Sequence, residues 1–265
     1  GWLSAEPLRI KKEDSIVILG NTFAERMQLF GYFEVFLHSR FPDHNLRVRN
    51  MGWSADEVHQ RIRPQGFPKL SAELKEHRAD LLFLCFGFNE SFQGATGLDH
   101  YKAELGNFLK KLQGQKFNGE SAPRIVLVSP IPFEKIDKGL PNSDEGNRRI
   151  QLYSTASETV AQEHGVRFLD LFTPMLERAS NISNRKITIN GVHLSEYGDW
   201  AVSQLMARGL GLWRDDLSLP TATPRDEKFR RAVYEKNHHY FTWWHPPNAS
   251  YIHGGRNKTR GAMHL

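Results

Sequence analysis

Five short apolar runs alternate along the chain with stretches whose apolar positions recur every three or four residues. The runs lie at 15–19, 46–49, 80–86, 124–128 and 166–169, and three are almost wholly apolar, as strands buried on both faces are. Helical spacing marks 24–40, 100–112, 147–164 and 196–210; in the first, Met27, Phe30, Phe33 and Leu37 make one stripe suited to core packing. This alternation predicts an α/β fold, three layers α/β/α around a central parallel five-stranded sheet. Ligands of such folds sit outside the carboxyl ends of the strands. That rule selects GNTF (20–23), NMGWSADE (50–57), GFNES (87–91) and DLFTP (170–174).

The pattern changes near Asp215, where LSLPTATPRDE reads as a linker or surface crossing. The segment beyond it is dense in aromatic residues and histidines and too irregular for a repeating element, so an irregular extension packed over the main domain is expected. The division is a lead-in at 1–13, a domain at 14–214 and an extension at 215–265. No internal repeat or low-complexity tract interrupts it.

Composition narrows the partners. The 265 residues are 39% hydrophobic and 25% charged, ordinary for a globular chain able to bury a full core. Net charge is +5, and residues 215–265 hold eight Lys/Arg against five Asp/Glu, with no run dense enough for nucleic acid. A mildly basic surface suits acidic substrates equally well. Cys85 stands alone inside DLLFLCFGF, which reads as a buried structural thiol and excludes an internal disulfide. No apolar run approaches the ~18 residues of a membrane span. The start at Gly1 reads either as the remnant of a cleaved export signal or as a trimmed end; export to the periplasm or beyond is the expectation, with the cytoplasm left open. Sequons at Asn181, Asn248 and Asn257 matter only in a secreted eukaryotic chain. His238, His239, His245 and His253 lack metal-ligand spacing, and neither metal nor cofactor is expected.

Placed beside TINGVHLSEYG (188–198), the first three strand-end segments resemble the four short blocks of the SGNH (GDSL-type) hydrolase family, in order and over about residues 14–212. The resemblance implies a flavodoxin-like SGNH fold and acyl-transfer chemistry. Gly20-Asn21-Thr22 stands where the family has Gly-Asp-Ser, which makes Thr22 the nucleophile. Ala55 falls at the second-block oxyanion glycine, with Gly52 close by. Gly87-Phe88-Asn89-Glu90 keeps the third-block asparagine. Asn190-Gly191-Val192-His193 keeps the base histidine but not its aspartate. A first block with Gly-Asn and a last with Asn-Gly-x-His are similar to a bacterial subgroup of the family, many of whose members are exported.

The implied machinery is a Thr22 hydroxyl activated by His193, with Asn190 accepting from the histidine through its carbonyl and the Thr22 N–H, Ala55 N–H and Asn89 amide facing the oxyanion. Both departures weaken it: the threonine methyl crowds the attack path and an amide carries no charge. Asp56, Glu57, Glu90 and Glu25 are candidate substitutes for the missing carboxylate, and Arg26 a candidate substrate contact. Asn21 and Thr22 also suit the cap of the helix that follows. Trp53, inside the second block, suits either sugar stacking or plain packing, whereas Trp243 and Trp244 suit packing. The leading expectation is an esterase acting on O-acetyl or other ester groups of a carbohydrate. The alternative is a noncatalytic carbohydrate-binding protein on the same fold, and a third reading runs a different reaction through Glu25, Glu57 or Glu90.

Overall fold

The computed structural model describes residues 6–63, 66–136, 143–180, 185–212, 224–248 and 252. Five parallel strands form its centre: β1 (Ser15–Gly20), β2 (Arg47–Asn50), β3 (Leu81–Cys85), β4 (Arg124–Val128) and β5 (Arg167–Leu169), ordered β2-β1-β3-β4-β5. Around them lie α1 (Thr22–Met27), α2 (Tyr32–Arg40), α3 (Leu70–Glu76), α4 (Leu98–Gln113), α5 (Ser143–Glu163), α6 (Phe172–Ser180), α7 (Glu196–Gly209) and α8 (Pro224–Trp244). The expected three-layer architecture is therefore present.

Period-two alternation along each strand divides the core. Ile16, Ile18, Leu81, Phe83, Val126 and Val128 join Phe33, Phe36 and Leu37 of α2 and Val202 and Met206 of α7 on one face. Val17, Leu19, Leu82, Leu84, Ile125 and Leu127 join Leu105 and Leu109 of α4 and Tyr153 and Val160 of α5 on the other. Because β2 and β3 flank β1 on opposite sides, the strand order reverses direction there. The carboxyl ends of β1 and β3 thus form the topological switch point, where open α/β sheets bind ligands.

Two expectations are corrected. The helix anticipated over 24–40 is two helices, because Gly31, at φ +70, breaks the chain and starts α2. Phe30 thereby leaves the core stripe and stands half-buried at the edge of a cleft. The extension anticipated as irregular contains the 21-residue helix α8. Its inward positions are Val233, Asn237, Tyr240 and Trp244, a helical stripe disguised by the polar Asn237 in its middle.

Asn237 is tolerated there because a buried acid faces it. Glu34 of α2 accepts hydrogen bonds from Asn237 Nδ2 at 3.0 Å and Lys236 Nζ at 2.5 Å, while Lys236 also donates to the Val48 carbonyl. Burial raises the Glu34 pKa, but bonds from His38 and Lys236 outweigh it and hold the carboxylate below its usual range. At the far end Trp244 Nε1 donates to Glu73 at 2.7 Å, and the Tyr240 hydroxyl meets His77. These bonds seat α8 against α2, β2 and α3. The linker near Asp215, Asn181, Asn257 and His253 lie outside the described residues.

Removing the Glu34 carboxylate leaves the buried Asn237 amide unpaired and Lys236 with the Val48 carbonyl alone, a loss of about 1–3 kcal/mol. Glu34→Ala is therefore expected to lower the denaturant midpoint and expose residues 224–248 to hydrogen exchange before the sheet opens. Equal protection of α8 in both proteins would refute the anchoring role.

Candidate active site

The corner after β1 is set by contact. Gly20 lies at φ +148, and a Cβ there would stand 2.2 Å from the Cys85 carbonyl oxygen, so only glycine lets β1 and β3 close together. Asn21 N–H then donates to that carbonyl at 3.2 Å, and Asn21 Oδ1 caps α1 by accepting from Phe23 N–H at 3.1 Å. Thr22 is the first helical residue, its N–H among the donors a helix start leaves free. Four residues on, one helical turn, Arg26 stands on the same side of α1.

The second block closes on the corner from β2. Asn50 donates to the Ala24 carbonyl and accepts from Gly52 N–H, and Trp53 N–H donates to the Gly20 carbonyl. A Cβ on Gly52 would meet Glu25 N at 2.3 Å, so the loop lies directly on α1. Ala55 is exposed at φ +66 and does not line the cleft; Asp56 N–H turns back to the Trp53 carbonyl and carries the tip outward. Trp53 packs with Phe67, Trp244 and His245 under the Arg63 guanidinium, which leaves its face covered.

None of the four candidate carboxylates reaches His193, because each already holds a loop. Glu25 accepts from the Ser54 N–H and hydroxyl. Asp56 pairs with Arg63 through two 2.7 Å bonds. Glu57 lies 3.6 Å from His59. Glu90, 3% exposed, accepts from Val58 N–H and Gly87 N–H, joining the second block to the third. Beside it Asn89 donates from Nδ2 to the Asp56 carbonyl at 3.2 Å.

The last block is a tight turn. Ile189 N–H donates to the His193 carbonyl, and Gly191 takes φ +84 at the tip. Glu134, which sequence reading passed over in PIPFEK, accepts from Ile187 N–H, Thr188 N–H and the Thr188 hydroxyl. That hydroxyl accepts in turn from Gly191 N–H.

Asn190 departs from expectation in one atom. Its Oδ1 accepts from His193 N–H at 2.9 Å and Val192 N–H at 3.3 Å, so its Nδ2 faces His193 Nδ1 at 3.0 Å. The two backbone donors fix the amide's orientation. Neutral His193 therefore accepts at Nδ1 and carries its proton on Nε2, the opposite of the tautomer an aspartate would hold. Burial, and then the positive charge of Arg26, lower its pKa.

These elements enclose a narrow cleft of about 50 Å³ at the switch point. Thr22, Arg26 and Phe30 line it from α1, Phe86 and Phe88 from the end of β3, Ser129 and Ile131 from the end of β4, His193 from its turn and Asp199 from α7. Ser129 accepts from Leu171 N–H and Phe172 N–H, fixing the segment after β5 against β4. Thr22 and His193 thus share one cleft, without a hydrogen bond between their side chains. Cys85 is buried behind it, and burial pushes its thiol pKa up. Asp199 gave no signal beyond its place six residues after His193. A larger hollow of about 480 Å³ lies on the other face between the sheet, α3 and α4, and neither Thr22 nor His193 touches it. Among the described residues no group of three or more His, Cys, Asp or Glu could hold a metal, and no helix is long and apolar enough to cross a membrane.

Residues 14–201 match the family model of the GDSL-like Lipase/Acylhydrolase family. The chain belongs to that family. A search of the curated proteins finds no match. Among solved structures, this GDSL-family chain is similar to Axe2, an acetylxylan esterase from Geobacillus stearothermophilus, at TM-score 0.60 and 17% identity, over 78% of this chain and 100% of that one. It is also similar to BT4096, a gut microbial diltiazem-metabolizing enzyme, at TM-score 0.62 and 19% identity over 80% of this chain and 49% of that one. LAE5, an alpha/beta hydrolase from the metagenome of Lake Arreo, Spain, aligns at TM-score 0.59 and 14% identity over 78% and 99%. At these identities the likeness is one of fold.

Two outcomes follow from the site's electrostatics. Burial pushes Glu73 and Glu90 up to about 7 and Asp199 up to about 8, against the donors that face them. The folded protein keeps protons that the unfolded chain releases near pH 4, so this contribution to stability falls as pH rises toward 8 and is flat above it. The melting midpoint is expected to decline from pH 5 to 8, and Asp199→Asn to flatten the upper part of that decline. A profile that Asp199→Asn leaves unchanged would contradict the assignment. Separately, Asn190→Asp should move the His193 proton to Nδ1 and raise the imidazole pKa, both read from ¹⁵N ring shifts; an unaltered tautomer would show that Asn190 does not set it.

Proposed function

We propose that this protein is an esterase that removes small acyl groups, O-acetyl above all, from a carbohydrate, using Thr22 as nucleophile and His193 as base. The observation that carries the reading is that Thr22 and His193 line one cleft at the switch point. A cleft of about 50 Å³ is of a size that suits an acetyl group. Axe2 supports the reading by analogy: its solved forms include catalytic mutants of a serine, and of an aspartate and a histidine three positions apart, the spacing of Asn190 and His193 here.

Attack requires His193 to take the Thr22 proton at Nε2. The resting tautomer already carries a proton there, so the ring must first exchange it to Nδ1 and lose the Asn190 contact. In a serine protease, aspartate replaced by asparagine costs about 10⁴ in turnover through the same wrong tautomer. Thr22 N–H is the oxyanion donor that the cleft itself supplies in this reading; Asn89, expected beside it, gives its amide to the Asp56 carbonyl and is not among the residues lining the cleft. For a sugar platform Phe92 replaces Trp53: it is 60% exposed and 5.7 Å from Phe88, which lines the cleft.

A second reading, noncatalytic carbohydrate binding, is favoured by the Asn190 amine on His193 Nδ1. Acetate release from acetylated xylo-oligosaccharides and aryl acetates separates the two. Slow turnover is expected in the wild type, none in Thr22→Ala or His193→Ala, and a rise of at least about 100-fold in Asn190→Asp, within the range one relay aspartate commands. Wild type and both alanine variants all inactive, with glycan binding intact in His193→Ala, would leave the binding reading.

A further inference from the structure

We propose that the cleft beside Thr22 takes a carboxylate group, held by Arg26 and by the Nε2–H of His193, with Asp199 forming its far wall. The proposal shares its cleft with the esterase reading and names the chemical class of ligand that cleft selects.

The case begins with buried polar atoms that lack partners. Arg26 Nε and Asp199 Oδ2 are both buried and neither meets a hydrogen-bonding atom of the protein. Asp199 is only 2% exposed, yet it lines the cleft together with Arg26. Such groups are uncommon in folded proteins, and they mark the Arg26–Asp199 side of the cleft as a place where packing leaves polar atoms unsatisfied. His193, half-buried on the same cleft, adds a donor. Asn190 occupies Nδ1, so the ring offers an N–H from its other edge.

Charge then chooses among acceptors. Among the described residues lining the cleft, Arg26 alone brings a permanent charge, and no described ion pair neutralises it. Glu25, its neighbour in sequence, is turned away to Ser54. Asp199 does not balance it either: burial holds its carboxyl protonated to about pH 8, in spite of the Tyr32 N–H, Arg230 and Arg26 and with the help of Glu196. Arg230 meanwhile lies against Glu227 and Glu196. At neutral pH the cleft therefore offers a guanidinium and an imidazole N–H, both donors, beside a carboxyl that burial keeps neutral. A carboxylate supplies acceptor oxygens to both donors and balances the charge, whereas a neutral amide or hydroxyl does only the first. Charge-assisted bonds are about twice as strong as neutral ones.

The carboxylate can belong to a free short-chain acid, such as the product of acyl hydrolysis, or to an acidic sugar. Calorimetric titrations of the full chain at pH 7 with acetate against acetamide, and with glucuronate against glucose, separate these sources. Acetate is expected to bind at least tenfold tighter than acetamide. Arg26→Gln should bring that ratio to about one, and Arg26→Lys, which keeps the charge, should retain most of it. Retained acetamide binding in Arg26→Gln shows that the variant's cleft is intact. A preference confined to the acetate pair assigns the free acid, and one that extends to glucuronate assigns the acidic sugar; both support the proposal. Equal binding within each pair, no binding of any of the four, or a preference that survives in Arg26→Gln overturns it. Absence of turnover with the acetate preference intact would refute the esterase reading alone.

Discussion

The close approach of β1 and β3 at Gly20 is the constraint on which the site depends. With no Cβ to hold the strands apart, the Cys85 carbonyl comes near enough to accept from Asn21 N–H, and the chain must turn at once into α1. That turn puts Thr22 at a helix start, Arg26 one turn behind it, and the Gly20 carbonyl where Trp53 N–H can reach it. A side chain at position 20 would push the strands apart and separate the first block from the second and third together.

The loops around that corner are held by carboxylates, most of them buried, as much as by backbone pairing. Glu25 grips Ser54, Glu90 joins Val58 to Gly87, Glu134 fixes Ile187 and Thr188, and Glu34 and Glu73 hold the two ends of α8. Apart from the exposed Glu25–Ser54 pair, each satisfies donors that a loop or a docked helix would otherwise bury unpaired, at about 1–3 kcal/mol apiece. These acids are consequently committed to structure, which is why none serves His193 as a substitute partner.

Asn190 shows how one isosteric change alters a site without moving it. The turn from Ile189 to His193 needs an oxygen at the end of the residue-190 side chain to receive two backbone N–H groups, and an asparagine supplies it as well as an aspartate does. The other terminal atom is then an amine instead of an oxygen. The polarity of the contact with Nδ1 inverts, and the cleft faces its ligand with an N–H in place of a lone pair. With Arg26 uncompensated and Asp199 neutral, the cleft becomes rich in donors.

The sequence by itself determined the sheet, because five apolar runs separated by helical spacing admit few arrangements but a parallel one, and strand pairing depends on that local pattern. It also determined which loops carry the chemistry, since the carboxyl ends of the strands follow from strand direction alone. Thr22 and His193 were legible through their resemblance to the SGNH (GDSL-type) blocks, His193 standing well beyond the last strand. The breadth of the switch point, the outward turn of Ala55, the covering of Trp53 and the helix from Pro224 to Trp244 were decided only in three dimensions. In α8 a polar Asn237 occupies an inward position because Glu34, some 200 residues earlier, faces it. Asp199 and Glu134 gave no local signal for a related reason: burial and the atoms opposite decide what a carboxylate does, and neither is written in the residues beside it.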